Sequence, residues 1–249
     1  MPGDPDSSSQ PFPVTRASAV VAAGSADAQV RHAAFAVLAE AYWRPAYAHV
    51  RLRRRKRAED AADLVQGFFA AALEKGWFAT FDARKARFRT FLRTCLDGFV
   101  SNQDKAAARL KRGGGKEPLS FDFAAEEGEL EHLEPASDDA VERACDAAWT
   151  RGIFATALRR LQEESQGRGR DVAFQLFQRY DVEPPPGACL TYDDLANEFG
   201  IKNTDVVNRL AVMRREFRRH VLEALREATS SDAEFRDEAR IVLGLSDPP

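Results

Sequence analysis

From Arg31 onward, apolar residues recur at three-to-four spacing, and no segment alternates with the period of two that marks a half-buried strand. Phe35, Leu38, Tyr42 and Trp43 define a first helical stripe over about 31–57, in which Pro45 either kinks the helix or separates two. A second helix is predicted from Ala58 to Lys75, with acids in its first turn and Leu64, Phe68 and Ala71 on one stripe. A third begins near Arg87 and carries Phe88, Phe91, Leu92, Cys95, Leu96 and Phe99 before Gly113-Gly114-Gly115 stops it. Helical periodicity returns over 141–162 through Cys145, Trp149, Phe154, Leu158 and Leu161. Phe174 and Phe177 mark a short helix closed by Pro184-Pro185-Pro186-Gly187. The predicted fold is all-α.

The breaks between these segments predict the organisation. Residues 1–29 are rich in Pro, Ser, Ala and Asp without a period and are expected to be disordered. A helical domain is expected over 30–112 and a second over 141–228. Between them, residues 113–140 combine triple Gly, Pro118, Pro135 and the acidic run Glu126–Glu134, the composition of a flexible linker. The tail, 229–249, sets Phe235, Ile241, Val242 and Leu243 among acids. It reads as a short amphipathic helix, either docked on the second domain or making a regulatory contact.

Charge sharpens this division. The net charge over 249 residues is only −3, yet residues 31–112 carry 18 basic and 8 acidic side chains. Residues 113–146 carry 2 basic and 11 acidic ones. A basic block beside an acidic connector points to a polyanion-binding surface.

The clearest local motif runs from Leu190 to His220. Thr191 and Asp194 have capping-box spacing, Gly200 stands where a left-handed turn is needed, and Asn203 or Thr204 is positioned to cap a longer helix. Leu195, Ala196, Phe199, Ile201, Val206 and Leu210 have the spacing that packs two helices across a tight turn. This is a helix-turn-helix, whose second helix normally enters the major groove. Lys202, Asn203, Thr204, Asp205 and Asn208 lie at the end that reaches base edges, and Arg209, Arg214, Arg215 and Arg218 follow as contacts to phosphates or guanines. The competing reading is a solvated basic face on an ordinary helical hairpin.

Ala196, Phe199-Gly200-Ile201, Val206, Arg209-Leu210 and Arg214 resemble the C-terminal helix-turn-helix of extracytoplasmic-function (ECF)-type sigma factors of bacterial RNA polymerase. Thr204, Asp205 and Val212 depart from that pattern. The stretch from Ala58 to Phe69 is similar to the sigma helix that docks on the polymerase clamp, with Gly67 where the family usually has Glu. The resemblance implies that Asp63 and Gln66, with Glu59 and Asp60, meet the clamp of the largest polymerase subunit. Asp63 and Gln66 stand at i and i+3, on one helix face.

The stretch from Arg87 to Arg112 resembles the sigma segment that opens and reads the minus-ten element. The resemblance implies DNA contacts by Trp77, Phe81, Arg87, Arg89, Arg93, Asn102, Lys105, Arg109, Lys111 and Arg112. Cations hold phosphates, and aromatics stack on unpaired bases at about 1–3 kcal/mol each. Phe88, Phe91 and Phe99 are expected in the core, leaving Trp77 and Phe81 as the stacking candidates. Trp149 and the Lys111-Arg112-triple-Gly end fit a divergent branch of these factors with a longer segment between its domains.

The implied function is a sigma factor that carries core RNA polymerase to promoters, with core polymerase, promoter DNA and an anti-sigma regulator as partner classes. The acidic run then reads either as a solvated linker or as a nucleic-acid mimic in the polymerase channel. The alternative is a helix-turn-helix regulator that acts without polymerase. Catalysis is not expected: no His, Cys or carboxylate set has metal-ligand or triad spacing, and no cofactor is implied. Three scattered cysteines, no apolar run near the ~18 residues of a membrane span and no signal pattern predict a cytoplasmic protein without a membrane partner.

Overall fold

The structure, a computed structural model, describes residues 18–107, 121–133, 137–184, 187 and 190–244. Among them the chain forms ten α-helices and no strand. In order these are α1 (Ala19–Ala22), α2 (Ala28–Ala48), α3 (Ala58–Lys75), α4 (Phe88–Ala107), α5 (Phe123–Leu130), α6 (Asp138–Gly167), α7 (Asp171–Phe177), α8 (Tyr192–Phe199), α9 (Asn203–Ala228) and α10 (Asp232–Leu243). One π-helical turn, His49–Arg53, follows α2, and another, Gln178–Val182, follows α7.

Local chemistry accounts for most of the helix ends. The Asp27 carboxylate caps α2 by accepting from the Gln29 and Val30 amides. Helix α3 starts with Glu59 and Asp60 in its first turn and stops at Gly76, whose φ of 63° a side chain would disfavour. Ser137 caps α6 and Ser231 caps α10 through their hydroxyls.

Pro45 lies inside α2 rather than dividing it. Proline has no N–H for the carbonyl of Ala41 four residues back. Helix α6 crosses there: a Cβ on Gly152 would lie 3.3 Å from the Ala41 carbonyl oxygen and 3.6 Å from Arg44 Cδ. A glycine in α6 thus sits against the one carbonyl of α2 that proline leaves without its helical donor.

Two apolar cores form. The larger draws on α1–α6, the C-terminal half of α9 and α10, with Tyr42, Phe68, Phe69, Phe88 and Trp149 almost fully buried. The smaller joins Leu161, Phe174, Leu176 and Phe177 to Leu195, Val206, Leu210 and Met213. Helices α6 and α9 serve both. Trp149 and Ile153 of α6 lie in the larger core and Leu161 in the smaller, while α9 gives Val206 and Leu210 to one and Val221 and Leu225 to the other. The boundary expected at residue 141 therefore falls within a helix shared by the two cores.

Two expectations meet a different structure, and a third is sharpened. The segment expected to be disordered to residue 29 holds α1, with Ala19 and Val20 buried; residues 1–17 lie outside the described residues. Within the expected linker, Phe121 ahead of α5 and Phe123 at its start pack on Trp43, and Glu126 of α5 is fully buried. Residues 113–120 and 134–136 of that linker lie outside the described residues. The tail helix α10 packs on the C-terminal half of α9, within the expected second domain, and enters the larger core through Phe235, Ala239 and Val242. Apolar spacing shows that a helix buries one face; it does not show against what.

Candidate nucleic-acid and polymerase interfaces

The helix-turn-helix is built from its caps inward. Thr191 and Asp194 form a reciprocal capping box: the Asp194 amide donates to Thr191 Oγ1 at 3.2 Å, and the Thr191 amide donates to Asp194 Oδ2 at 2.9 Å. Gly200 takes the left-handed conformation at φ 63°, and the Ile201 amide donates back to the Ala196 carbonyl at 3.0 Å. Lys202, rather than Asn203 or Thr204, occupies the cap position of α9, and no side chain caps that end. Leu195, Val206 and Leu210 are fully buried and fix the two helices against each other.

This packing sorts the sequence candidates on α9. Lys202, Asn203, Thr204 and Asn208 are exposed at its N-terminal end, while Asp205 and Arg209 are half-buried. Asn203 hydrogen-bonds Asp193 across the turn. Arg214 is taken: its Nε and Nη2 both donate to Asp181 at 2.9 Å, and its guanidinium lies 5.7 Å from the centre of the Tyr180 ring. Arg215 and Arg218 are exposed and make no ion pair among the described residues. Sequence reasoning missed Val207, 43% exposed within the polar face. An apolar side chain there matches the contact that a thymine methyl offers. Its signal was present as a valine off the buried stripe.

On α3, Glu59, Asp60 and Asp63 are exposed, and Gln66 is half-buried beside them. The three acids make no ion pair among the described residues. Leu64 packs against the core and Phe68 is fully buried, so the polar and apolar faces divide as their spacing predicts. A Cβ on Gly67 would lie 3.4 Å from Cζ of Phe99, so the residue that replaces the family's Glu gives room to a ring of α4.

The described residues read as minus-ten contacts differ in exposure and pairing. Trp77 and Phe81 are both half-buried. Trp77 lies 5.9 Å from Phe68 and 6.2 Å from Phe99, and Phe81 lies 5.2 Å from Phe88 and 5.3 Å from Phe91. Asn102 and Lys105 are exposed towards the C-terminal end of α4. Arg109, Lys111 and Arg112 lie outside the described residues. The three arginines at the start of α4 are all paired: Arg87 with Asp237 at 2.5 Å, Arg89 with Asp146 at 2.8 Å, and Arg93 with Glu142 at 2.5 Å.

Much of the charge asymmetry along the chain is resolved inside the fold. Buried Glu126 accepts from Arg44 at 3.0 Å and from Arg151 at 2.5 Å. Glu127 accepts from Arg51 and from the Tyr47 hydroxyl, the latter at 2.7 Å. The Arg51 hydrogen bond, helped by Tyr47, holds the Glu127 carboxyl below its usual range despite partial burial. Arg53 pairs with Asp138 at 2.9 Å. The acidic segment therefore neutralises part of the basic block. The exposed cations left over include Arg55 and Arg57, which the sequence reading counted but did not single out. Arg55 holds a left-handed φ of 50°, uncommon for a side-chain-bearing residue.

Among the described residues no group of His, Cys, Asp and Glu is placed to hold a metal ion. The Cys145 thiol is pushed up to about 12, by burial first and then by Glu142 and Asp146, which leaves it a poor nucleophile. No described helix is long and apolar enough to cross a membrane.

A helix-turn-helix with a free polar end on α9, preceded by an acid-faced α3 and a basic α4, is the arrangement that the sequence resemblance implies. Residues 14–223 match the ECF sigma factor family. The chain belongs to the ECF sigma factor family. Its members are non-enzymatic transcription initiation factors that work with RNA polymerase. The match covers α1–α8 and most of α9 but ends before α10. No curated protein and no solved structure matches the chain.

Proposed function

We propose that this ECF family member binds core RNA polymerase and directs it to specific promoters, recognising the minus-thirty-five element through the N-terminal half of α9 and the minus-ten element through α4 and its approach. The observation that carries this reading is the free polar end of α9, where Lys202, Asn203, Thr204 and Asn208 are exposed on a helix whose opposite face is buried. A helix held that way presents its first turns to the major groove, with Arg215 and Arg218 placed further along for phosphates. Thymine-methyl contact by Val207 adds an apolar element to the readout.

Polymerase binding is assigned to Glu59, Asp60, Asp63 and Gln66 of α3, where unpaired acids face outward on a rigid helix. Strand opening is assigned to the α4 cations and to the accessible parts of Trp77 and Phe81. Binding energy alone does this work. Two weak DNA contacts on one molecule reinforce each other when their separation matches the spacing of the sites.

Mixing the purified chain with core RNA polymerase tests the reading. Co-elution with core enzyme and new, chain-dependent transcript starts are the expected result. Specific duplex binding by the isolated chain without any polymerase association would instead establish a helix-turn-helix regulator.

A further inference from the structure

Helix α10 lies beyond the residues that match the ECF family, and it presents three carboxylates to the start of α4. Glu234 Oε1 accepts from the Phe88 amide, the first N–H of α4, at 3.3 Å. Asp237 takes Arg87 at 2.5 Å, and Glu238 lies 3.3 Å from Arg89 and 3.9 Å from Arg87. A helix N-terminus flanked by arginines is what a phosphate backbone seeks. Here carboxylates of the same chain fill it.

The way α10 is held makes its docking and DNA contact compete. Phe235, Ala239 and Val242 anchor it in the larger core, and Arg226 lies 4.0 Å over the Phe235 ring. The outer pair is open to solvent, with Arg87 46% and Asp237 41% exposed, so it is weak and salt-labile. Glu238 is different. It is 2% exposed, its Oε2 has no hydrogen-bond partner, and burial raises its carboxyl pKa. Its charge depends on Arg89 and Arg87. If a phosphate takes those arginines, Glu238 is left buried and uncompensated, which disfavours the docked helix. By linkage, whatever undocks α10 strengthens DNA binding by the same factor.

We propose that α10 is an autoinhibitory latch: docked, it occupies with its own carboxylates Arg87, one side of Arg89 and the first amide of α4, where single-stranded DNA is engaged, and it leaves when that DNA is bound. This rests on the reading above that α4 contacts promoter DNA. Undocked, Arg87 and the first amides of α4 lose their carboxylates and Arg89 keeps only Asp146 of α6, and the strand that α4 engages displaces the helix that mimics it.

The test uses the full chain and a fluorescent single-stranded DNA of mixed sequence, with affinity measured by anisotropy at two salt concentrations. The D237N/E238Q variant binds about tenfold more tightly than the wild type, and its salt slope steepens by about 1.4, two phosphate contacts at about 0.7 each. The control E131Q/D139N makes the same change in net charge at exposed acids elsewhere and stays within twofold. Adding Arg87→Ala and Arg89→Ala to the latch variant removes the gain. A folded D237N/E238Q chain within twofold of the wild type overturns the latch. Hydrogen exchange on the wild type decides independently of any variant: amides of 232–243 lose protection when DNA saturates the chain, and retained protection overturns the latch. Core-polymerase binding is scored alongside. A chain that binds core but shows neither effect loses the latch alone, whereas a chain that does not bind core loses the sigma reading.

Discussion

At the scale of single residues, the fold distinguishes charges that hold the molecule together from charges left for a partner. Glu127 belongs to the first kind. Its folded carboxyl lies below the ordinary carboxylate range because Arg51, then Tyr47, bonds the ionised form. The ionised form therefore contributes stability that is fully present above about pH 4.3 and is lost as pH falls through the depressed folded value. Glu127→Gln is expected to lower the melting temperature at pH 7, with the gap to the wild type closing as thermal melts are repeated down to pH 3. Arg209, Arg215 and Arg218 belong to the second kind. Arg209→Ala is expected to lose about 1–3 kcal/mol on the upstream promoter element and much less on unrelated duplex, if its half-buried guanidinium reads a base. Arg215→Ala and Arg218→Ala should weaken binding to all sequences alike and reduce the salt slope by about 1 each, measured by titration at several salt concentrations.

At the scale of elements, two glycines carry predictions. Gly200 makes the turn between α8 and α9 at φ 63°, and a Cβ there meets nothing within 4 Å, so Gly200→Ala tests backbone strain alone. A loss of about 1–2 kcal/mol in a denaturant melt is expected, with the helix content retained. Gly152 is the opposite case, a matter of space at the crossing of α6 on α2. Gly152→Leu forces a side chain against the Ala41 carbonyl and should destabilise by about 1–3 kcal/mol or more, read in the same melt.

These elements also mark how far the sequence could be read. Helix α3 runs from Ala58 to Lys75 with acids in its first turn as predicted, although its buried stripe is Ala61, Val65, Phe68, Phe69 and Ala72 rather than Leu64, Phe68 and Ala71, and the capping box of α8 is present as spaced. Caps and periodicity act over a few residues and are written locally. The partner of α5 was not legible, because Glu126 reads as a solvated acid until Arg44 and Arg151 close on it from α2 and α6. The ion pairs of Arg87, Arg89 and Arg93 were not legible for the same reason: their carboxylate partners lie 49 to 150 residues away in sequence. Val207 was visible only as an apolar residue out of place.

At the scale of the whole molecule, α6 and α9 act as struts through both cores, so the helix-turn-helix and the acid face of α3 belong to one connected body. The Tyr42 hydroxyl donates to the Ala228 carbonyl at the end of α9 at 2.9 Å, a buried bond that ties α2 to α9. The basic block and acidic connector, opposed in sequence, are partly paired with each other in the fold. Among the described residues, what remains for partners includes the acids of α3, the polar first turns of α9 with Arg215 and Arg218, Arg55 and Arg57, and Arg87 once α10 is gone.

The central claim is that the unpaired acids of α3 dock this chain on RNA polymerase. The most direct measurement is co-elution of the purified chain with core polymerase, wild type against Asp63→Lys with Gln66→Ala. The wild type co-elutes and yields chain-dependent transcript starts, whereas the variant, with an unchanged circular-dichroism melt, loses both. A wild type that stays separate from core, or a folded variant that binds as well as the wild type, contradicts it.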